Sequence, residues 1–173
     1  EADDDANYAL EFNFDVSDLE PLVATPGLPT NGVEVSKVEG VPIDQATLGS
    51  CSGAFLHDLI AAAEILKGRK VHPHVRFIIV PNTSKVVEQA ARLGIISTLV
   101  EAGAIFSTPA CGTCGGYEIG VLAPGETCIS TTTRNMDGRM GPGGLIYLAS
   151  ARTVAASAVM GKITDPRRLV GGI

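Results

Sequence analysis

Residues 75–80 read VRFIIV, an apolar and mostly β-branched run broken only by Arg76. A strand with one face in water alternates apolar and polar residues. A strand that is apolar at nearly every position has both faces covered, which is the pattern of parallel sheets flanked by other layers. The surrounding sequence supplies the flanking elements. Residues 43–49 (IDQATLG) read as a strand, Asp58 as the cap of a helix with Leu59, Ala63 and Leu66 on one face, and Gly68 as its end. Ser84 caps a second expected helix, with Val87, Ala90 and Ala91 inward. Residues 104–107, 127–133 and 145–149 read as further strands, and Ala151–Met160 as a small-residue helix ending at Gly161. The expected fold is therefore α/β, a three-layer α/β/α sandwich around a largely parallel sheet.

The 173 residues favour one domain with a sizeable core. Before residue 43 the pattern differs. Tyr8–Val16 is strand-like, PGLPTNG at 26–32 is rich in turn formers, and Val33–Val38 is a short β-branched piece. Residues 1–42 are expected to be a leader or linker packing on a domain at 43–173. The acidic start, EADDDANYAL, is neither a secretory nor a mitochondrial signal. It has no initiator Met, so a piece of a longer, cytoplasmic protein is expected. No apolar run approaches the ~20 residues that span a bilayer, which argues against a membrane protein.

Composition narrows the function classes. With 45% hydrophobic and 18% charged residues the chain is globular. A net charge of −6 argues against a general nucleic-acid or anionic-membrane surface. An anionic ligand would have to be held by a few local cations. Four cysteines are too few for a disulfide scaffold and read as reduced thiols for metal or redox chemistry.

Two of those thiols sit in PACGTCGG at 109–116, where glycine and threonine let the backbone turn between Cys111 and Cys114. The pair alone is compatible with a redox couple, a zinc clip, part of an iron–sulfur site or a tight turn. A thioredoxin-like pair sits at a helix start early in a βαβ unit; this one comes late and runs into Gly115-Gly116. Structural zinc takes four ligands, yet only Cys51, in GSCSG, is a third thiol in a comparable loop. Cys128, in ETCISTT, lies in a strand-like run and reads as a small buried hydrophobe. Three thiolates and one open position suit an iron–sulfur cluster with one iron free, unlike the four-cysteine ligation of electron-transfer clusters. Cys51, Cys111 and the pair Arg134 and Arg139 all follow expected strands, the edge at which α/β sheets collect ligands. In TTTRNMDGRMG the two arginines can fork onto carboxylates, or pair blandly with Asp137 and Glu126. His57, His72 and His74 read as surface or loop residues.

GSC at 49–51, IIVPNTS at 78–84, EAG at 101–103, CGTC at 111–114 and STTTRNMDGRMGPGG at 130–144 occur in an order that resembles the aconitase superfamily. The likeness is to the C-terminal part of the large subunits of 3-isopropylmalate dehydratase and homoaconitase, and DLEPLVATP at 18–26 extends it to the leader. The resemblance implies a [4Fe–4S] cluster on Cys51, Cys111 and Cys114, its free iron a Lewis acid toward a hydroxy di- or tricarboxylic acid. It implies that Arg134 and Arg139 hold substrate carboxylates. It also implies that the acid/base groups lie in an N-terminal portion and the proton-abstracting serine on a swivelling domain or small subunit. No catalytic residue is therefore assigned in this chain, which is expected to be inactive alone. Departures from the family pattern fall at Ser52-Gly53, Thr133 and Asn82, around the expected cluster and substrate. The rival expectation is a non-catalytic metal-binding or redox CxxC module. Uncovered apolar surface leads us to expect association, with a homodimer as one form.

Overall fold

The computed structural model describes residues 2–170, so the last three residues of the unit expected over 43–173 lie outside the described residues. Seven strands and four α-helices follow one another as β1 (Leu22–Ala24), β2 (Gly32–Glu34), β3 (Gln45–Gly49), α1 (Leu56–Leu66), β4 (Arg76–Val80), α2 (Ser84–Arg92), α3 (Ile95–Glu101), β5 (Ile105–Phe106), β6 (Thr127–Ser130), β7 (Leu145–Ala149) and α4 (Ala151–Met160). They form one sheet in the order β2-β1-β7-β6-β3-β4-β5. The five strands from β7 to β5 are parallel, and the β1–β2 hairpin joins antiparallel to β7. This is the α/β fold with a largely parallel sheet that the alternation predicts. No helix among the described residues is long and apolar enough to cross a membrane.

The two faces of the sheet are covered differently, and the chain's handedness explains why. From β3 to β4 to β5 the chain advances in one direction, with α1, α2 and α3 in the crossovers. It then returns past β3 to β6 and continues to β7. Parallel crossovers are right-handed almost without exception, so reversing the direction moves the connection to the opposite face. The packing agrees. Ala46, Leu48, Phe77, Ile79 and Ile129 point into the main core with Leu59, Ile65, Leu99 and Val154 of the helices. Burying a side chain such as Phe77 stabilises the fold by roughly 2–3 kcal/mol. The alternate residues face a smaller core in which Cys128 and Ile146 meet Leu122 and Met140 from the returning connections. The third layer is thus made of loops and a 3-10 turn at Gly112–Gly115 rather than α-helices.

Element ends show where local sequence was misleading. Asp58 does not cap α1; Phe55 holds that position, and its backbone N–H donates to the Asp58 carboxylate at 3.1 Å from within the first turn. Gly68 does close the helix, with φ +72°. Thr83, not Ser84, caps α2 by accepting from the Val86 N–H. The cap therefore sits one residue earlier, and the inward residues are Val86 and Ala90. The α4 boundaries and Gly161 are as expected. Helix α3 was not anticipated, because Gly94 and the short seven-residue length obscure its period. The strand expected over Tyr8–Val16 is not formed. Those residues make no ladder, and Tyr8, Leu10, Phe12, Phe14 and Val16 are all at least 61% exposed. A period-2 apolar face needs a neighbouring strand to bury it. The turn formers of 26–31 lie, as expected, in the loop between β1 and β2, and Gly32 begins β2.

Candidate metal centre

Because β3, β4, β5 and β6 are parallel, the loops that follow them leave from one edge of the sheet. Strand order reverses between β3 and β6, and the crevice beyond such a switch point is the ordinary ligand site of an open α/β sheet. Cys51 follows β3, Asn82 follows β4, the Cys111–Cys114 turn follows β5, and Arg134 and Arg139 follow β6.

Short polar residues lock these loops together. Thr131, just past β6, accepts from the Gly49 N–H at 2.9 Å and donates to the Gly49 carbonyl at 3.2 Å. A Cβ on Gly53 would come within 2.8 Å of the same hydroxyl, so the GSCSG loop lies directly against it. Asn82 donates through Nδ2 to the Cys51 carbonyl at 2.5 Å, giving one of the sequence's departures a place in the site. The CGTC turn seats on β4: Gly112 has φ +59°, and a Cβ there would meet Val80 Cγ2 at 2.7 Å. The Glu118 carboxylate accepts from the Gly112 N–H at 2.5 Å and folds the following loop back under the turn. Asn135 donates to the Thr25 and Leu28 carbonyls, tying the arginine loop to the β1–β2 hairpin.

The four thiols are all free and differ in setting. Cys51 is exposed, Cys111 half-buried, and Cys114 and Cys128 buried. Cys128 faces the small core, where burial pushes its thiol up to about 12. It reads as the buried hydrophobe expected. Arg139 Nη2 donates to Cys114 Sγ at 3.6 Å, and this contact holds the guanidinium above its ordinary pKa. Hydrogen bonding with Cys111 raises the Tyr117 phenol, whose ring lies over Gly115. Arg134 is exposed at the surface. The bland pairing of an arginine from this loop with Glu126 is not seen, because Arg76 grips that carboxylate through two 2.8 Å contacts. His57 is exposed beside Asp58, and His72 and His74 occupy the α1–β4 loop.

Among the described residues no three His, Cys, Asp or Glu side chains converge on a point where one metal ion would sit. Thiolates that each bind a different iron of a cluster stand farther apart than ligands sharing one ion. Four buried side-chain polar atoms lack a hydrogen-bond partner among the described residues: Ser50 Oγ, Thr113 Oγ1, Arg139 Nε and Asn135 Oδ1. The first two belong to residues adjoining the candidate thiols, and the third to the side chain that contacts Cys114. Buried polar atoms are nearly always satisfied, so this grouping fits a polar or charged group seated among the loops.

The sequence offered the thiols and arginines as candidates but not the residues that hold their loops. The hydroxyl run at 130–133 was the available signal for Thr131, since Ser and Thr readily bond nearby backbone groups. Asn82 and Asn135 act on partners distant in the chain and carry no local signal, and Glu118 bonds a backbone N–H six residues back inside its own loop.

A family model described as "Aconitase family (aconitate hydratase)" matches residues 36–161. The chain belongs to the aconitase family. Its relatives include the homoaconitase large subunit of Thermus thermophilus, 52% identical over 168 residues. That alignment covers 96% of this chain and 40% of the relative. The 3-isopropylmalate dehydratase large subunits of Aliarcobacter butzleri and Wolinella succinogenes are 50% and 49% identical, covering 97% and 98% of this chain and 40% and 41% of theirs. The chain thus spans about two fifths of the length of these aconitase-family relatives, and its cysteine and arginine loops fall inside the matched region.

Proposed function

We propose that this chain is the cluster-bearing part of an iron–sulfur hydro-lyase large subunit, acting on a small hydroxy di- or tricarboxylic acid such as 3-isopropylmalate. Cys51, Cys111 and Cys114 would hold a [4Fe–4S] cluster. When bound, the cluster supplies a Lewis acid that makes hydroxide a better leaving group. The observation that carries the reading is the meeting of the GSC loop, the CGTC turn and the arginine loop at the sheet's switch point, with Arg139 already on Cys114.

This chain's own residues would hold and orient the substrate. Arg134, exposed at the rim, offers a guanidinium fork to a carboxylate, and the N–H groups of Arg139 not spent on Cys114 offer a second. Two fixed cations offset a dianion locally, so the overall charge of −6 is no obstacle. Residues 43–173 form the cluster-binding unit on this reading, and residues 1–42 a leader. The exposed apolar face of Tyr8–Val16 is suited to packing on the remainder of the large subunit. Acid/base groups and the proton acceptor would come from that remainder and from a swivelling small subunit, in the cytoplasm. Association of this chain with itself would follow where its apolar face stays uncovered.

The test is anaerobic reconstitution with iron and sulfide, counting iron, sulfide and zinc per chain in wild type and Cys51→Ser. The expected result is a brown protein with a cluster that wild type forms and the variant fails to retain. Zinc in place of iron, or no difference between the proteins, would overturn the proposal in favour of a CxxC module acting without Cys51.

A further inference from the structure

Arg139 reaches a place that substrate binding alone does not require. Its Nη2 lies 3.6 Å from Cys114 Sγ. It makes no salt bridge among the described residues, and its Nε is buried without a partner. The backbone fixes this placement. A Cβ on Gly116 would come within 2.8 Å of the Arg139 carbonyl, so the segment bearing the arginine passes against the end of the CGTC turn. Met140, the next residue, is fully buried in the small core beside Leu122 and anchors that passage. Arg134, in the same loop, is exposed and donates to no thiol among the described residues, although its neighbour Asn135 is tied to the β1–β2 hairpin.

From this asymmetry we infer that Arg139 is a positioning residue for the Cys114 ligand, donating an N–H to the thiolate and thereby slowing loss of the cluster and setting its potential. The two arginines therefore divide the work. Arg134 serves an incoming carboxylate, whereas Arg139 is shared between substrate and thiolate, its planar fork presenting separate N–H groups to each. The inference rests on the cluster reading proposed above. Its physical basis is that partners of metal-bound atoms orient the ligand and tune the metal, and that hydrogen bonds to sulfur shift a cluster's reduction potential. A donated N–H favours the more negative, reduced state, so removing it lowers the potential.

The experiment uses reconstituted wild type, Arg139→Gln, Arg139→Lys and Arg134→Gln, without substrate. Iron release to a chelator is followed by absorbance, and the reduction potential by titration. Loss of outer partners commonly weakens metal sites by about 10–100-fold. Arg139→Gln should release iron about tenfold faster and show a lowered potential. Arg139→Lys, which keeps a cationic donor on a shorter head, should fall between it and wild type, and Arg134→Gln should match wild type. Release rates and potentials for Arg139→Gln that match wild type, or equal effects of Arg134→Gln and Arg139→Gln, would overturn the inference. A wild-type chain that takes up no cluster refutes the underlying reading instead, so the two failures are distinct. Thermal melts of the metal-free proteins separate misfolding from ligand loss; if Arg139→Gln melts early, Arg139→Lys carries the comparison.

Discussion

Gly112→Ala tests whether the CGTC turn is held by its seat on β4. Two costs apply. Gly112 has φ +59°, a region where an L-residue with a Cβ costs about 1–2 kcal/mol. The new methyl would also lie 2.7 Å from Val80 Cγ2 and 3.0 Å from Cγ1. Val80 is fully buried, and its β-branched side chain has few alternative rotamers, so relief must come from backbone movement. Overpacking of this kind typically costs about 1–3 kcal/mol. Together the loss is about 2–5 kcal/mol, and at roughly 2–4 °C per kcal/mol for a chain of this size the melting temperature should fall by about 4–20 °C. Val80→Ala removes the obstructing methyls at the cost of a small cavity, and the double variant should recover part of the loss. Differential scanning calorimetry of wild type, both single variants and the double variant measures the coupling directly. Melting of Gly112→Ala within a degree of wild type, or strict additivity in the cycle, would refute the seat. On the cluster reading proposed above, iron uptake should fall alongside stability, because the same displacement moves Cys111 and Cys114 relative to Cys51.

Other consequences can be checked on the metal-free chain. Arg76 holds the Glu126 carboxyl down at about 2, against an unfolded value near 4.3. The pair's stabilisation is therefore fully present above about pH 4.5 and is lost as pH falls toward 2. With Arg76 partly exposed, the nominal ~3 kcal/mol reduces to about 1–2 kcal/mol. Glu126→Gln should be less stable than wild type by that amount at pH 7 in urea titrations, with the gap closing between pH 4.5 and 2; a gap independent of pH would count against the pair. Cys128, fully buried with its thiol pushed up to about 12, should stay unalkylated by iodoacetamide at pH 8 in the native chain while exposed Cys51 reacts. Mass spectrometry showing equal labelling of the two would mean that β6 is not covered as described.

What could be read from the sequence was set by whether a feature is local. VRFIIV declared a doubly covered strand because both faces are buried by consecutive residues, and β4 occupies that run. α4 was legible to the residue because Gly161 ends it at the adjacent position, and the structure adds Ser150 as its cap on the other side. Tyr8–Val16 misled for the opposite reason. Its alternation is a local statement about which residues would share a face, whereas a strand also needs a neighbour, and none of the described residues pairs with it. Asp58 and Ser84 were near misses of one kind, since an acidic or hydroxyl residue anywhere in the first turn imitates a cap.

The candidate site follows the same division at a higher level. Its chemical groups are written in short motifs, but their meeting depends on the chain reversing direction after β5. Had β6 continued outward beyond β5, right-handedness would have kept its connection on the helical face, and the CGTC turn would have had no second face to cover. Returning past β3 places the turn against Gly112's seat on Val80 and brings Thr131 onto Gly49. It also carries Arg139 to Cys114. The three loops thus acquire one another through a single topological step. That is why the partners of Thr131 and Asn82, on Gly49 and Cys51, cannot be read until the strand order is known.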